Sequence, residues 1–395
     1  MAQPRVVVTG MGAVSCLGSS VEEFWAGLMR RECGLRPLTR LDPSSHRVGV
    51  GGEVKGMDLR PGEDEAVQMA IRAAREAAEQ AGFGPGVLAG ALVSLGTNFG
   101  ALSSLARFLA QPGQDGAGDL FREGMAQGVT DAVARAIGAG GARVSTSLSC
   151  ASGNGAVGVA LEALRAGEAK SALAGGYDAI TEIAWSGLAA MRTMTNEALR
   201  PFDARRDGTL FSEGAGVLAL ETLESALARG ARPLAEVLGA ATDNNAFHMA
   251  HPDPNGEGLA RAMRLALADA GVEPWQVDYV SAHGTGTKYN DKLETQALKS
   301  VLGPRAAQIP VVSIKSCAGH AMGAASSLEA IAAVCALNRG MSPATINLEQ
   351  PDPECDLDYV ADGPRRVDAR VAMCDSAGIG GPNAVLVLRR WEGEA

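Results

Sequence analysis

The chain has 395 residues, long for one compact domain and ordinary for two fused halves. Its apolar content of 46% supports a large core, while a net charge of −10 sets nucleic acid aside as the main partner, because phosphate binding needs a basic face. Seven cysteines, an odd number with no CxxC pair, argue against a disulfide framework and for a reducing cytoplasm.

The first residues run directly into Val6-Val7-Val8 without the pattern of a signal peptide, and no apolar stretch reaches the length of a membrane span. A strand is predicted over 5–9, followed by helices over 21–30 and 64–81, the second closed by Gly82. Strands follow at 91–95 and 143–147, a helix at 151–166, and strands at 171–175 and 214–221. In the second half, Leu259, Met263, Ala266, Leu267 and Ala270 form an amphipathic stripe ended by Gly271. Strands return at 277–282, 311–314 and 384–388. Strands alternating with helices imply parallel sheets with helix cover.

One pattern occurs twice. A strand ending in Ser149-Cys150 leads into the small-residue helix that opens Ala151-Ser152-Gly153. A strand ending in Lys315-Ser316-Cys317 leads through Ala318-Gly319-His320 into a second small-residue helix over 321–337. The echo predicts two similar α/β halves joined near residues 231–233 and sharing one core.

Cys150 falls where a strand becomes a helix, so unpaired backbone N–H groups and the helix dipole favour its thiolate. On spacing alone it reads equally as a structural cysteine. His283 follows a predicted strand in the Gly/Thr loop Ala282-His283-Gly284-Thr285-Gly286-Thr287, where α/β proteins place ligands. Only five histidines occur, and His283 and His320 both lie in such loops, which favours a Cys–His–His site. Gly378-Ile379-Gly380-Gly381 could offer backbone N–H groups to a developing oxyanion. Two other motifs are weaker. His248 and His251 have the spacing of a metal pair but lack a third ligand, and Val8–Ala13 opens like a dinucleotide fingerprint without its third glycine.

Taken in order, these segments resemble the elongating β-ketoacyl-acyl carrier protein synthases of fatty acid and type II polyketide assembly, within the thiolase superfamily. The resemblance runs from the VVVTGMG opening through Ser149–Gly153, Ala174–Asp178, Arg200–Asp203, Glu213–Gly216, His283–Thr287 and Lys315–His320 to Gly378–Asn383. It implies a thiolase-like fold of layered αβαβα architecture, with a half over 1–232 carrying the cysteine and a half over 233–395 carrying the histidines and lysine.

It also implies roles. Cys150 would take an acyl chain from acyl carrier protein, with the backbone N–H groups of Cys150 and Ile379 as oxyanion hole. His283 and His320 would stabilise the enolate formed when a malonyl thioester loses carbon dioxide. Lys315, linked to Glu329, would orient the site. Thr285 and Thr287 would contact the pantetheine arm, and Phe99, Gly378 and Gly380 would shape the substrate pocket. No metal or redox cofactor is implied, since substrates ride on the phosphopantetheine of acyl carrier protein. A homodimer is expected, or a heterodimer in which this chain is the catalytic member.

The chain departs from the family where Ile379 and Ala377 replace frequent phenylalanines, where Phe99 replaces an aliphatic residue, and where Lys288 replaces a proline. The early helix that often carries basic docking residues opens instead with Glu63, Asp64 and Glu65. These departures suggest a specialised polyketide or fatty-acyl synthase. A degradative thiolase, with Cys374 as second cysteine, is the rival reading.

Overall fold

Among the described residues of the computed structural model (3–54, 56–249 and 251–393), ten strands join in one hydrogen-bonded sheet. The first five are β1 (Val6–Val14), β2 (Leu92–Gly96), β3 (Arg143–Thr146), β4 (Ser171–Asp178) and β5 (Gly214–Thr222), lying in the order β1-β5-β4-β2-β3. The second five are β6 (Ala235–Asn244), β7 (Tyr279–Ser281), β8 (Val311–Val312), β9 (Val371–Ala377) and β10 (Pro382–Arg390), in the order β6-β10-β9-β7-β8. In each set the first two neighbour pairs are antiparallel and the last two parallel. The sets meet where β1 pairs with β6 over three residues, Val6–Val8 against Ala235–Val237.

Four helices repeat in step with the strands: α1 (Glu65–Ala81) after β1, α2 (Ser152–Arg165) after β3, α3 (Glu257–Ala270) after β6 and α4 (Ala325–Arg339) after β8. Helix α1 packs on the outer face of the first set and α3 on that of the second, while α2 and α4 touch strands of both. This is the expected layering. Helix α4 is buried from Ala325 to Leu337 and is built largely from Ala and Ser, which lets strands of both sets approach it closely.

Helix α1 explains the VTGMG opening. A Cβ at Gly10 would stand 2.1 Å from the Ala77 carbonyl oxygen, and one at Gly12 1.9 Å from that of Ala73. Both glycines lie inside β1 and admit the backbone of an alanine-faced helix, so the dinucleotide reading is overturned. Asp64 caps α1, accepting the Ala66 N–H, and also accepts the Ser104 N–H at 2.8 Å; Glu65 accepts from Ser103 Oγ. Two of these three acids therefore hold the local structure.

Two predicted elements give way to turns around Lys315 and Met322. The strand expected over 311–314 stops at Val312, because Lys315–Ala318 already turns as a short helix. The helix expected from 321 starts at Ala325, after a single turn over Met322–Ala324 in which Met322 has a φ of 54°. No described helix is long and apolar enough to cross a membrane.

Candidate active site

Three strand ends and one loop deliver the chemistry to one place. Beyond β3 the chain turns sharply at Ser149, whose φ of 53° is costly for a residue with a side chain. Ser152 pins that turn: its Oγ accepts the Leu148 N–H at 2.9 Å and donates to the Ser149 carbonyl at 2.6 Å. The turn places Cys150 at the mouth of α2 with 6% of its surface exposed. The loop after β9 closes against it: a Cβ at Gly378 would lie 2.8 Å from Ser149 Cβ, so only glycine fits, and the Ile379 N–H is aimed at the Cys150 sulfur.

His320 Nε2 lies 3.1 Å from Cys150 Sγ. Its Nδ1 accepts the Met322 N–H at 3.1 Å, which explains the positive φ at Met322 and assigns the ring proton to Nε2. His283 stands edge-on to His320, ring centroids 5.5 Å apart. Its Nδ1 meets Lys315 Nζ, which can only donate, at 3.2 Å, with Ser376 Oγ at 3.3 Å beside it, so it too presents Nε2–H. Burial, and next the Lys315 charge, hold both imidazoles well below the usual histidine range, leaving them neutral donors.

Lys315 is 1% exposed, not a surface lysine. Its ammonium donates to the His283 carbonyl at 2.6 Å and to Glu329 Oε1, while burial lifts Glu329 to about 7 against the pull of Lys315. At Cys150 burial outweighs the lowering effects of Ser149, Lys315 and the Ile379 N–H, so the thiol is pushed up. The expectation of a resting thiolate is corrected accordingly: desolvation of the charged form wins.

The ligand atoms of Cys150, His283 and His320 all lie within 4.8 Å of one another, a set that zinc could take by composition. A metal-bound imidazole donates its second ring N–H to an acceptor. Here the second nitrogens face donors instead, so the set is wired for hydrogen bonding and fits a metal poorly. His248 and His251 do meet, Nδ1 to Nδ1 at 3.1 Å, but no third ligand joins them among the described residues. His251 instead lines the cavity mouth.

A cavity of about 490 Å³ opens onto the sulfur. Phe99, Thr285, Thr287, Ala377, Gly378, Ile379 and Gly380 all line it, with Leu188, Met191 and Phe211 adding apolar surface. Thr285 and Thr287 sit Oγ to Oγ at 2.9 Å, and Arg206, buried behind them, donates to the Thr287 and Lys288 carbonyls. Cys317 and Cys374 are buried away from this cavity. Sequence reasoning missed Asp178, whose buried carboxylate accepts from Thr97 Oγ and the N–H groups of Asn98, Phe99 and Gly323, tying the Phe99 loop to the turn that precedes α4. It also missed Ser376, which donates to the Cys150 carbonyl while touching His283. Asp178 ends the Ala174–Asp178 segment of the resemblance, but the partners of both residues lie far away in the chain, so nothing local marks their roles.

A lone thiol ringed by two neutral imidazole donors and a backbone N–H, in an αβαβα fold, defines a condensing acyltransferase. Residues 3–226 match the family described as "Beta-ketoacyl synthase, N-terminal domain" and residues 234–349 its C-terminal domain. Among curated proteins, 3-oxoacyl-[acyl-carrier-protein] synthase 2 of Synechocystis sp. is 39% identical over 412 residues, covering 98% of each chain. That of Staphylococcus aureus is 36% identical over 408 residues, covering 98% of this chain and 99% of its own. Among solved structures, the ishigamide ketosynthase/chain length factor superposes with a TM-score of 0.92 at 40% identity, covering 99% of this chain and all of that one. A type II polyketide ketosynthase in complex with its acyl-carrier protein gives 0.90 at 31%, with the same coverage. The chain belongs to the β-ketoacyl synthase family, and it is an enzyme.

Proposed function

We propose that the chain is a β-ketoacyl-acyl carrier protein synthase in which Cys150 carries the acyl chain and His283 and His320 drive decarboxylation. The sulfur attacks the thioester of an acyl carrier protein; its proton passes to the departing carrier thiol, and the acyl oxygen is held by the N–H groups of Cys150 and Ile379. A malonyl thioester then enters, its pantetheine arm along Thr285 and Thr287. As carbon dioxide leaves, enolate charge gathers on the thioester oxygen, where the two Nε2–H donors converge. The carbanion attacks the Cys150 thioester, the C–S bond breaks with Cys150 leaving as a thiolate that regains a proton from solvent, and a β-ketoacyl carrier thioester departs. Lys315, paired with Glu329, keeps His283 in the donating tautomer.

The observation that carries this reading is the pair of imidazoles whose Nδ1 atoms both face donors beside one cysteine. A thiolase would need a second cysteine at the cavity, and Cys374 is not there. The fold divides near residues 232 and 233, the first half supplying the nucleophile and the second the donors. A second ketosynthase-like chain is the natural partner. The likeness to a ketosynthase/chain length factor favours the reading in which that partner is non-identical, and the edge strand β3, with Leu109, Phe121 and Met125 exposed nearby, offers a surface for it.

The test is product analysis with acyl- and malonyl-carrier thioesters. A β-ketoacyl carrier product with one carbon dioxide released per turnover supports the reading. Thiolysis of β-ketoacyl coenzyme A without decarboxylation contradicts it.

A further inference from the structure

Behind His283 and Lys315 stand three buried carboxyls, those of Glu294, Glu329 and Asp375, and the mechanism uses only Glu329. Glu294, on the helix Asn290–Leu302, is well supplied: Oε1 accepts the His283 N–H at 2.6 Å, and Oε2 accepts the Gly284 N–H at 2.8 Å and Asn290 Nδ2 at 3.1 Å. Asp375, on β9 beside Ser376, is wholly buried, yet neither of its oxygens has an N–H or O–H donor. The His283 N–H, which also lies toward Asp375, is committed to Glu294 at 2.6 Å. What Asp375 does meet is the carboxyl of Glu294.

Two carboxylates cannot hydrogen-bond to each other, so one of the pair holds a proton. Three donors hold Glu294 in place, and the shared proton is what bonds Asp375 to it. The geometry points to Asp375 as a positioning residue: a buried acid that shares one proton with Glu294 and so locks the backbone of the His283 loop from behind. Burial, the largest cause at both carboxyls, raises the pH at which the pair gives up this proton. The other titratable groups facing the pair are His283, Asp291, Lys315, Glu329, Cys374 and Tyr359. Losing the proton would set two like charges against each other directly behind His283, loosening the loop that aims it.

The inference rests on the reading of His283 as a catalytic donor, so its test has one readout that does not depend on activity. Asp375→Asn keeps a donor toward Glu294 but has no proton to lose. A carboxyl with a raised native pKa lowers stability as pH climbs from the unfolded value, about 4, toward the native one. The melting temperature of Asp375→Asn minus that of the wild-type chain is therefore expected to grow steadily with pH above 5. The alkaline fall in decarboxylation rate is expected to move up by a pH unit or more in the variant. Asp375→Leu, which removes the donor, is expected to lose at least tenfold in rate at every pH. If Asp375→Asn folds poorly, Glu294→Gln removes the same shared proton and must show the same pH trend. A melting difference independent of pH in both variants overturns the shared proton; unaltered rate profiles with the trend intact overturn only the link to catalysis.

Discussion

Replacing Lys315 by methionine keeps the volume and apolar stem of the side chain while deleting its charge. The ammonium makes three contacts, to Glu329, to the His283 carbonyl at 2.6 Å and to His283 Nδ1 at 3.2 Å. Removing one partner of a buried ion pair costs about 3–5 kcal/mol when the other stays charged. Here Glu329, already lifted to about 7, can take up a proton and relieve part of that cost. The expected loss of stability is therefore at the low end, about 3 kcal/mol, and largest at alkaline pH, where protonating Glu329 is hardest. For the chemistry, His283 loses its main Nδ1 donor, so the ring is free to turn its lone pair rather than its N–H toward the enolate. Losing one such preorganised donor costs about 10²–10³ in rate. Lys315 does not touch Cys150 and acts on its thiol only through charge, so acylation should lose much less than decarboxylation. Carbon dioxide release from malonyl-carrier thioester, measured beside intact-mass detection of acylated protein, separates the two steps. Wild-type decarboxylation in a folded Lys315→Met variant, or equal loss of both steps, would refute this account of the lysine.

Further outcomes follow from the same geometry. Because both imidazoles are held neutral by burial, the decarboxylation rate should show no acid-side fall between pH 8 and about pH 6; a loss on acidification centred at the ordinary histidine value of about 6.5 contradicts this. The same shift makes stability decline below that pH, by up to about 1.4 kcal/mol per unit for each ring, visible in urea titrations. Phe99→Ala opens the apolar end of the cavity and should favour longer acyl chains, by roughly fourfold in kcat/KM per added methylene accommodated, at about 0.8 kcal/mol each. Ser149→Gly relaxes the left-handed residue before the nucleophile and should leave thermal stability equal or higher, whereas a β-branched Ser149→Val should lower it by about 1–3 kcal/mol.

Much of the site was legible because strand, sharp turn and helix place a reactive side chain in a predictable spot. Cys150, His283 and His320 stand out in loops of small residues that follow strands, and the repeated strand-to-helix pattern pointed to two similar α/β halves, though not to their strand order. Charge states were not legible. The helix dipole argued for a thiolate at Cys150, but desolvation depends on what packs around the sulfur, and His320 closes against it from 170 residues away. The late start of α4 was hidden for a similar reason, since the Met322 N–H serves His320 rather than a helix. Asp375 and Glu294 read as unremarkable acids until the fold brings them together. Conversely, Gly10 and Gly12 look like a phosphate loop in sequence, and only the helix lying across them shows their use.

The most direct measurement is intact mass spectrometry of the chain after exposure to acyl-carrier thioesters. A mass gain equal to one acyl group, absent in Cys150→Ala and discharged on adding malonyl-carrier thioester, is what the arrangement of thiol and imidazoles predicts. A gain that persists in Cys150→Ala, or an acyl group that malonyl thioester cannot discharge, would contradict it.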